Sequence, residues 1–195
     1  LNHDWVWALS PAYGLHVPAS DFATCVRVRL GASIIEDPMV CPRCSRAALG
    51  QSCAHALCCA LPDANKGHNR VRDWLLNLVH AADSSAHIEP TGLIPEAPTL
   101  RPADIFSQAA LPGSQAALDI GIMSPDATGA GDDCCEAMHQ KKMSDYAPYL
   151  RSLSRQGIRY RPLTFSCYGR VHPEALATLT AIAKQTARRR GLPGH

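Results

Sequence analysis

A chain of 195 residues is long enough for one sizeable core, or for one core and a small appendage. Apolar residues make up 46% and charged residues 18%, an ordinary globular balance, and no run approaches the roughly 18–20 apolar residues of a membrane span. The net charge of +2 conceals an asymmetry: residues 81–150 hold ten acidic and three basic side chains, whereas 151–195 hold nine basic ones against the single acid Glu174. An acidic centre beside a basic arm suits a polyanion gripped by its backbone while cations sit near the reacting bond. Taken alone, the run Arg188 to Arg190 reads equally well as a solvated tail.

The chain opens at Leu1 without a basic-then-apolar leader, which is read as a piece of a longer polypeptide that is not secreted. Residues 1–40 carry Trp5, Trp7, Leu9, Phe22, Val26, Val28 and Leu30 in a pattern that fits short helices or short strands equally well. Nine cysteines follow no disulfide framework: the chain is too long for a stapled mini-domain, and four of them cluster with a histidine at ligand spacing, which points to a reducing compartment. Cys41-Pro42-Arg43-Cys44, then ten residues, then His55 and the pair Cys58-Cys59 read as a small zinc site, with Cys53 a further candidate. Cys25, Cys134, Cys135 and Cys167 have no evident partner and are read as small side chains.

From His68 to Ala82, Val71, Trp74, Leu75, Leu78, Val79 and Ala82 recur at helical spacing, which predicts an amphipathic helix. Short strands are predicted at 87–89, 103–106 and 117–122, separated by Pro- and Gly-rich turns at 90–98 and at Pro112-Gly113. A helix is expected from Asp133 to Ser154, closed by Gly157, then a strand over 159–165. Pro173 with Glu174 opens a last helix to about Arg190. The predicted order is α-β-β-β-α-β-α.

Two acids fall in this middle region, Asp104 in Arg101-Pro102-Ala103-Asp104 and Asp119 in Leu118-Asp119-Ile120. Presented from adjacent strands, two carboxylates can hold a divalent cation against a phosphodiester. Asp119 is the harder to explain otherwise, because an ionised carboxylate in an apolar strand costs on the order of several kcal/mol unless it is paired or metal-bound. On the following helix Lys142 and Tyr146 share a face, while Lys141 points about 100 degrees away.

The order of these pieces resembles the restriction-like endonuclease of non-LTR retrotransposons: Cys-x2-Cys, His55-Ala56-Leu57 with its cysteines, the Lys66-Gly67-His68-Asn69 helix start, Glu89-Pro90, Arg101 to Asp104, the Leu118 to Ile120 strand, Lys142 with Tyr146, and the strand through Phe165. The likeness covers roughly residues 41–175. It implies an α/β, restriction-endonuclease-like core of the PD-(D/E)xK type, a mixed central sheet flanked by helices, with a small N-terminal zinc knuckle. The implied division is 1–40 as the tail of a preceding reverse transcriptase region, 41–66 as the knuckle, and 67–195 as the endonuclease with its basic C-terminal helix. The resemblance selects Cys41, Cys44, His55 and Cys59 as Zn2+ ligands, Cys59 being preferred to Cys58 by the family's His-x3-Cys spacing. Asp104 and Asp119 become carboxylates for Mg2+ or Mn2+, Lys142 the catalytic lysine, Tyr146 its neighbour, and Glu89 a third carboxylate.

The common form of that fold places the lysine two residues after the second acid, where this chain has Gly121, so the lysine is expected from the helix. Two further departures are Gly67, where a basic residue is usual, and Ser166-Cys167, where an acid is common. His68, at the start of its helix, is read as a cap or a phosphate contact. The implied activity is hydrolytic nicking of target DNA to prime reverse transcription, in the nucleus, with element RNA reached through the parent polyprotein and no membrane involved. No polymerase signature is present. The rival reading is a zinc-bearing nucleic-acid-binding module, or a decayed nuclease, without cleavage.

Overall fold

In a computed structural model, residues 18–59 and 64–192 are described. The chain divides into two compact units, Leu1–Pro62 and Asp63–His195.

In the first unit, helix α1 (Ala19–Leu30) stops at Gly31, whose φ of +66° lets the chain turn so that the N–H groups of Gly31 and Ala32 reach the carbonyls of Val28 and Arg27. Phe22 and Leu30 on this helix are exposed; Trp5, Trp7 and Leu9 lie outside the described residues. Strands β1 (Met39–Val40) and β2 (Ala48–Leu49) pair antiparallel, Met39 opposite Leu49, and the short helix α2 (Ala54–Cys58) follows. Among the described residues of this unit, Cys41 and Leu49 are the only buried apolar side chains.

The second unit is a mixed α/β fold. Helix α3 (Ala64–Ala82) precedes β3 (His87–Ile88), β4 (Ile105–Leu111) and β5 (Ser114–Met123); α4 (Cys134–Tyr146) and α5 (Leu150–Arg155) cross to β6 (Ile158–Ser166), and α6 (Pro173–Arg189) closes the chain. The sheet order is β3-β4-β5-β6, antiparallel except for the parallel pair β5 and β6. The central strand β5 is buried from Ala116 to Gly121, which is why its sequence reads as a nearly continuous apolar run. Its alternate residues feed two cores. Leu118 and Ile120 pack with Leu75 and Val79 of α3 and Ile182 of α6, while Ala117 packs with Leu153 of α5 and with Ile158 and Tyr160 of β6. Pro162 is tolerated because β6 is an edge strand.

The expected element order is present, with three local corrections. The helix expected over 133–154 is broken by a 3-10 turn at Ala147–Tyr149, because Pro148 lacks the N–H that an uninterrupted helix needs. Strand β4 begins at Ile105, so Asp104 precedes it rather than lying within it. Trp74 is 63% exposed although it falls in the apolar stripe of α3; Leu75, Val79 and Ala82 form the buried seam.

Strand β4 also carries an irregularity between Ser107 and Leu111. Asp83, one residue past α3, supplies the bonds that the strand ladder omits there. Its Oδ2 accepts from Ser107 Oγ (2.6 Å), Gln108 N (2.8 Å) and Ala109 N (2.9 Å), and its Oδ1 from Ser85 N (3.0 Å) and Ser85 Oγ (2.7 Å). Five donors around one buried carboxylate explain how the bulge satisfies its backbone.

Candidate functional site

Two constellations stand out, one in each unit. In the first, the turn between β1 and β2 carries Cys41 and Cys44, while His55 and Cys59 come from α2 and the residue following it. The four ligand atoms lie within 4.8 Å of one another. Cys41 Sγ is 3.8 Å from Cys59 Sγ, and Cys44 Sγ is 3.3 Å from His55 Nε2. Zinc–sulfur bonds of about 2.3 Å place tetrahedral sulfurs about 3.8 Å apart, so the set could hold a metal ion and its donors are consistent with zinc. Backbone N–H groups of Arg46 and Ala47 directed at Cys44, helped by His55 and Cys41, lower its thiol pKa to about 6 despite opposing desolvation. That favours the thiolate a metal requires. Cys53 lies outside the cluster, capping α2 with φ +53°.

In the second unit the sheet brings Asp104 close enough to Asp119 for its charge to raise the Asp119 carboxyl. Asp104 is fixed from three sides. Its N–H donates to Leu118 O (2.9 Å), its Oδ2 accepts from Ile120 N (2.7 Å), and His68 Nε2 lies 3.3 Å from the same oxygen. Its Oδ1 accepts no hydrogen bond from any described residue. Burial would raise the Asp104 carboxyl, but the His68 bond, the Ile120 N–H and the charges of His68 and Lys142 outweigh it and hold the carboxyl below its usual range. The Asp104 bond in turn raises the His68 imidazole above its ordinary value against partial burial.

Asp119 sits deeper. Lys142 Nζ donates to its Oδ1 at 2.6 Å, and the Tyr160 hydroxyl donates to its Oδ2. Burial still pushes the Asp119 carboxyl up, aided by the charge of Asp104, with Lys142 and Tyr160 opposing. The Tyr160 phenol is driven up by its own burial and by Asp119, so it remains a neutral donor. Tyr146 packs on Tyr160 with ring centroids 5.0 Å apart, and its hydroxyl donates to Arg101 O (2.9 Å). Burial and then the charges of Asp119, Asp104 and Asp145 raise its phenol pKa.

The chain matches no protein-family model, no curated protein and no solved structure.

The structure thus brings Asp104, Asp119, Lys142 and Tyr146 together, and adds His68 and Tyr160. His68 lies one turn inside α3 rather than at its cap, aimed at Asp104. Lys141 pairs with Asp145 at 2.6 Å on the exposed side of α4. Both Glu89 carboxylate oxygens are taken up by arginines. A backbone φ of +48° and two guanidiniums, Arg72 at 2.7 Å and Arg101 at 2.5 Å, hold its carboxylate in ion pairs of their own.

The space above Gly121 is filled from α4. A Cβ at this position would lie 2.6 Å from Met138 Cγ and 2.7 Å from Lys142 Cε, so the side chains of α4 fill the space that a residue at 121 would otherwise occupy. Gly121→Ala is therefore expected to displace Met138 and Lys142 and to destabilise the fold by about 1–3 kcal/mol, measured by denaturant unfolding. Wild-type stability in this variant would mean that the α4 contacts relax freely.

Proposed function

We propose that this chain is a metal-dependent DNA endonuclease domain of the restriction-like kind that non-LTR retroelements carry, with a structural zinc in its Cys3His cluster. One observation carries the reading: Lys142, delivered from a helix, reaches Asp119 at 2.6 Å while its Cε occupies the place above Gly121. A lysine beside two carboxylates is the hydrolytic set of that fold, here assembled from a different element. The α-β-β-β-α-α-β-α order and the mixed sheet support it.

Asp104 and Asp119 suit Mg2+ or Mn2+, because such ions ordinarily take one or two carboxylates and complete their shell with water and phosphate oxygens. Asp104 Oδ1 accepts no hydrogen bond from any described residue, and the Asp119 carboxylate, disfavoured by burial and by the charge of Asp104, would gain from a cation beside it. When bound there, the ion supplies Lewis acidity to the scissile phosphodiester.

The chain's own groups do the rest. His68 and the Ile120 N–H fix the direction of Asp104, and Tyr160 fixes that of Asp119. The Lys142 ammonium orients the attacking water and offsets negative charge as the new P–O bond forms and the opposite one breaks. Tyr146 closes one side of the site.

Nicking of supercoiled plasmid in Mg2+ or Mn2+ tests the proposal. The zinc-loaded wild type is expected to nick, and folded Asp104→Ala and Asp119→Ala to lose cleavage while keeping salt-sensitive DNA binding. A wild type that binds DNA without cutting it would favour the binding-module reading instead.

A further inference from the structure

On the face of the sheet opposite Asp119 lies a groove of about 330 Å³ between β6, α6 and the β4–β5 turn. Arg159 and Arg161 project into it from alternate positions of β6, sharing the parity of Leu163, which packs in the α3 and α6 core, whereas Tyr160 points to the other face. Neither guanidinium makes a hydrogen bond or ion pair with any described residue. That is unusual for Arg161, which is half-buried, because a partly desolvated cation is stabilised by an anion. Two residues along a strand separate the side chains by about 6.6 Å, a spacing that addresses consecutive phosphates of an extended chain better than one isolated anion.

The rest of the lining fits that occupant. Ala177 and Ala181 present only methyl groups and leave the floor open, and Leu111 with Pro112 forms an apolar wall against which a sugar can lie. Glu174 stands at the rim, 3.8 Å from His139, so the two arginines outnumber the acid. We propose that the groove is a binding site for the phosphodiester backbone of a single DNA strand, separate from the carboxylates. Arg161 pairs in register with Leu118, next to Asp119 in sequence, so on the endonuclease reading proposed above, on which this assignment rests, a strand held there runs behind the carboxylates.

The test is the salt dependence of single-stranded oligonucleotide binding by the whole zinc-loaded chain, followed by fluorescence anisotropy without Mg2+ or Mn2+, so that the result does not depend on cleavage. Arg159→Gln/Arg161→Gln is expected to weaken binding and to reduce the slope of log K against log salt by about 1.4, or about 0.7 per lost contact. Arg159→Gln alone, an exposed change that leaves the fold intact, gives about half of that. A charge-matched control, Arg151→Gln/Arg155→Gln on α5, leaves the slope as it is, and inorganic phosphate displaces the strand no better than chloride at equal ionic strength. An unchanged slope in the groove variants, an equal fall in the control, or specific displacement by phosphate overturns the assignment.

Discussion

Stripping zinc from the Cys41, Cys44, His55 and Cys59 cluster is expected to unfold the first unit while the second keeps its own cooperative transition. Among its described residues only Cys41 and Leu49 are buried apolar side chains, and its two strands are two residues each. Structural zinc supplies on the order of 10 kcal/mol of folding free energy, far more than burial of two such side chains. Chelator titration followed by far-UV circular dichroism and a zinc indicator should release one zinc per chain together with the loss of the signal from the first unit. Cys44→Ser should do the same, and Cys53→Ser should not, since Cys53 is outside the cluster. Retention of the fold after complete zinc release would show that the four side chains are a packed thiol cluster and not a metal centre.

Asp83→Ala is expected to destabilise the second unit by roughly 3–5 kcal/mol, lowering its melting temperature by about 10–20 °C. The carboxylate is buried and accepts from five donors, among them the backbone N–H groups of Gln108 and Ala109, which the bulge in β4 leaves without a strand partner. Removing it strands those donors away from water; Asp83→Asn keeps one acceptor oxygen and should cost less. Burial raises the Asp83 carboxyl, but the bonds from Ser107, Ser85 and Ala109 dominate and hold it well below the usual carboxylate range. Because the folded state binds this proton more weakly than the unfolded state, its contribution is fully present above about pH 3.9 and disappears as pH falls through the depressed folded value. Urea midpoints measured down the acid range should therefore converge for wild type and Asp83→Asn. Parallel curves at every pH would locate the stabilising contribution elsewhere.

Local pattern carried much of this fold into view. The stripe of α3, the apolar run of β5, Gly113 between β4 and β5, Gly157 before β6 and Pro173 at the head of α6 each act within a few residues, where periodicity and backbone preference decide. Pro148 was equally local, and its position inside a helical pattern is the signal that separates α4 from α5. What the sequence left hidden depends on distant partners. Tyr160 reaches Asp119 from the neighbouring parallel strand, His68 reaches Asp104 from a helix, and Glu89 turns to Arg72 and Arg101 because its backbone takes a positive φ that no spacing announces. Trp74 obeys the stripe yet lies at its edge, where α3 no longer faces the sheet.

The candidate site divides in the same way. Asp104, Asp119 and Lys142 stood out by residue type and order, and the metal cluster by ligand spacing. That the lysine fills the space over Gly121 is a fact of packing between α4 and β5.

The proposed role of Lys142 is to act with the two aspartates on a phosphodiester, beyond serving as a counter-ion to Asp119. It is tested most directly by the rate at which Lys142→Ala nicks supercoiled plasmid in Mg2+, beside wild type of equal zinc content and DNA affinity. Loss of a lysine that orients water and offsets transition-state charge should slow nicking by about 10²–10³-fold with little change in binding. Nicking by the variant at the wild-type rate would contradict the account and leave Lys142 as a structural partner of a buried acid.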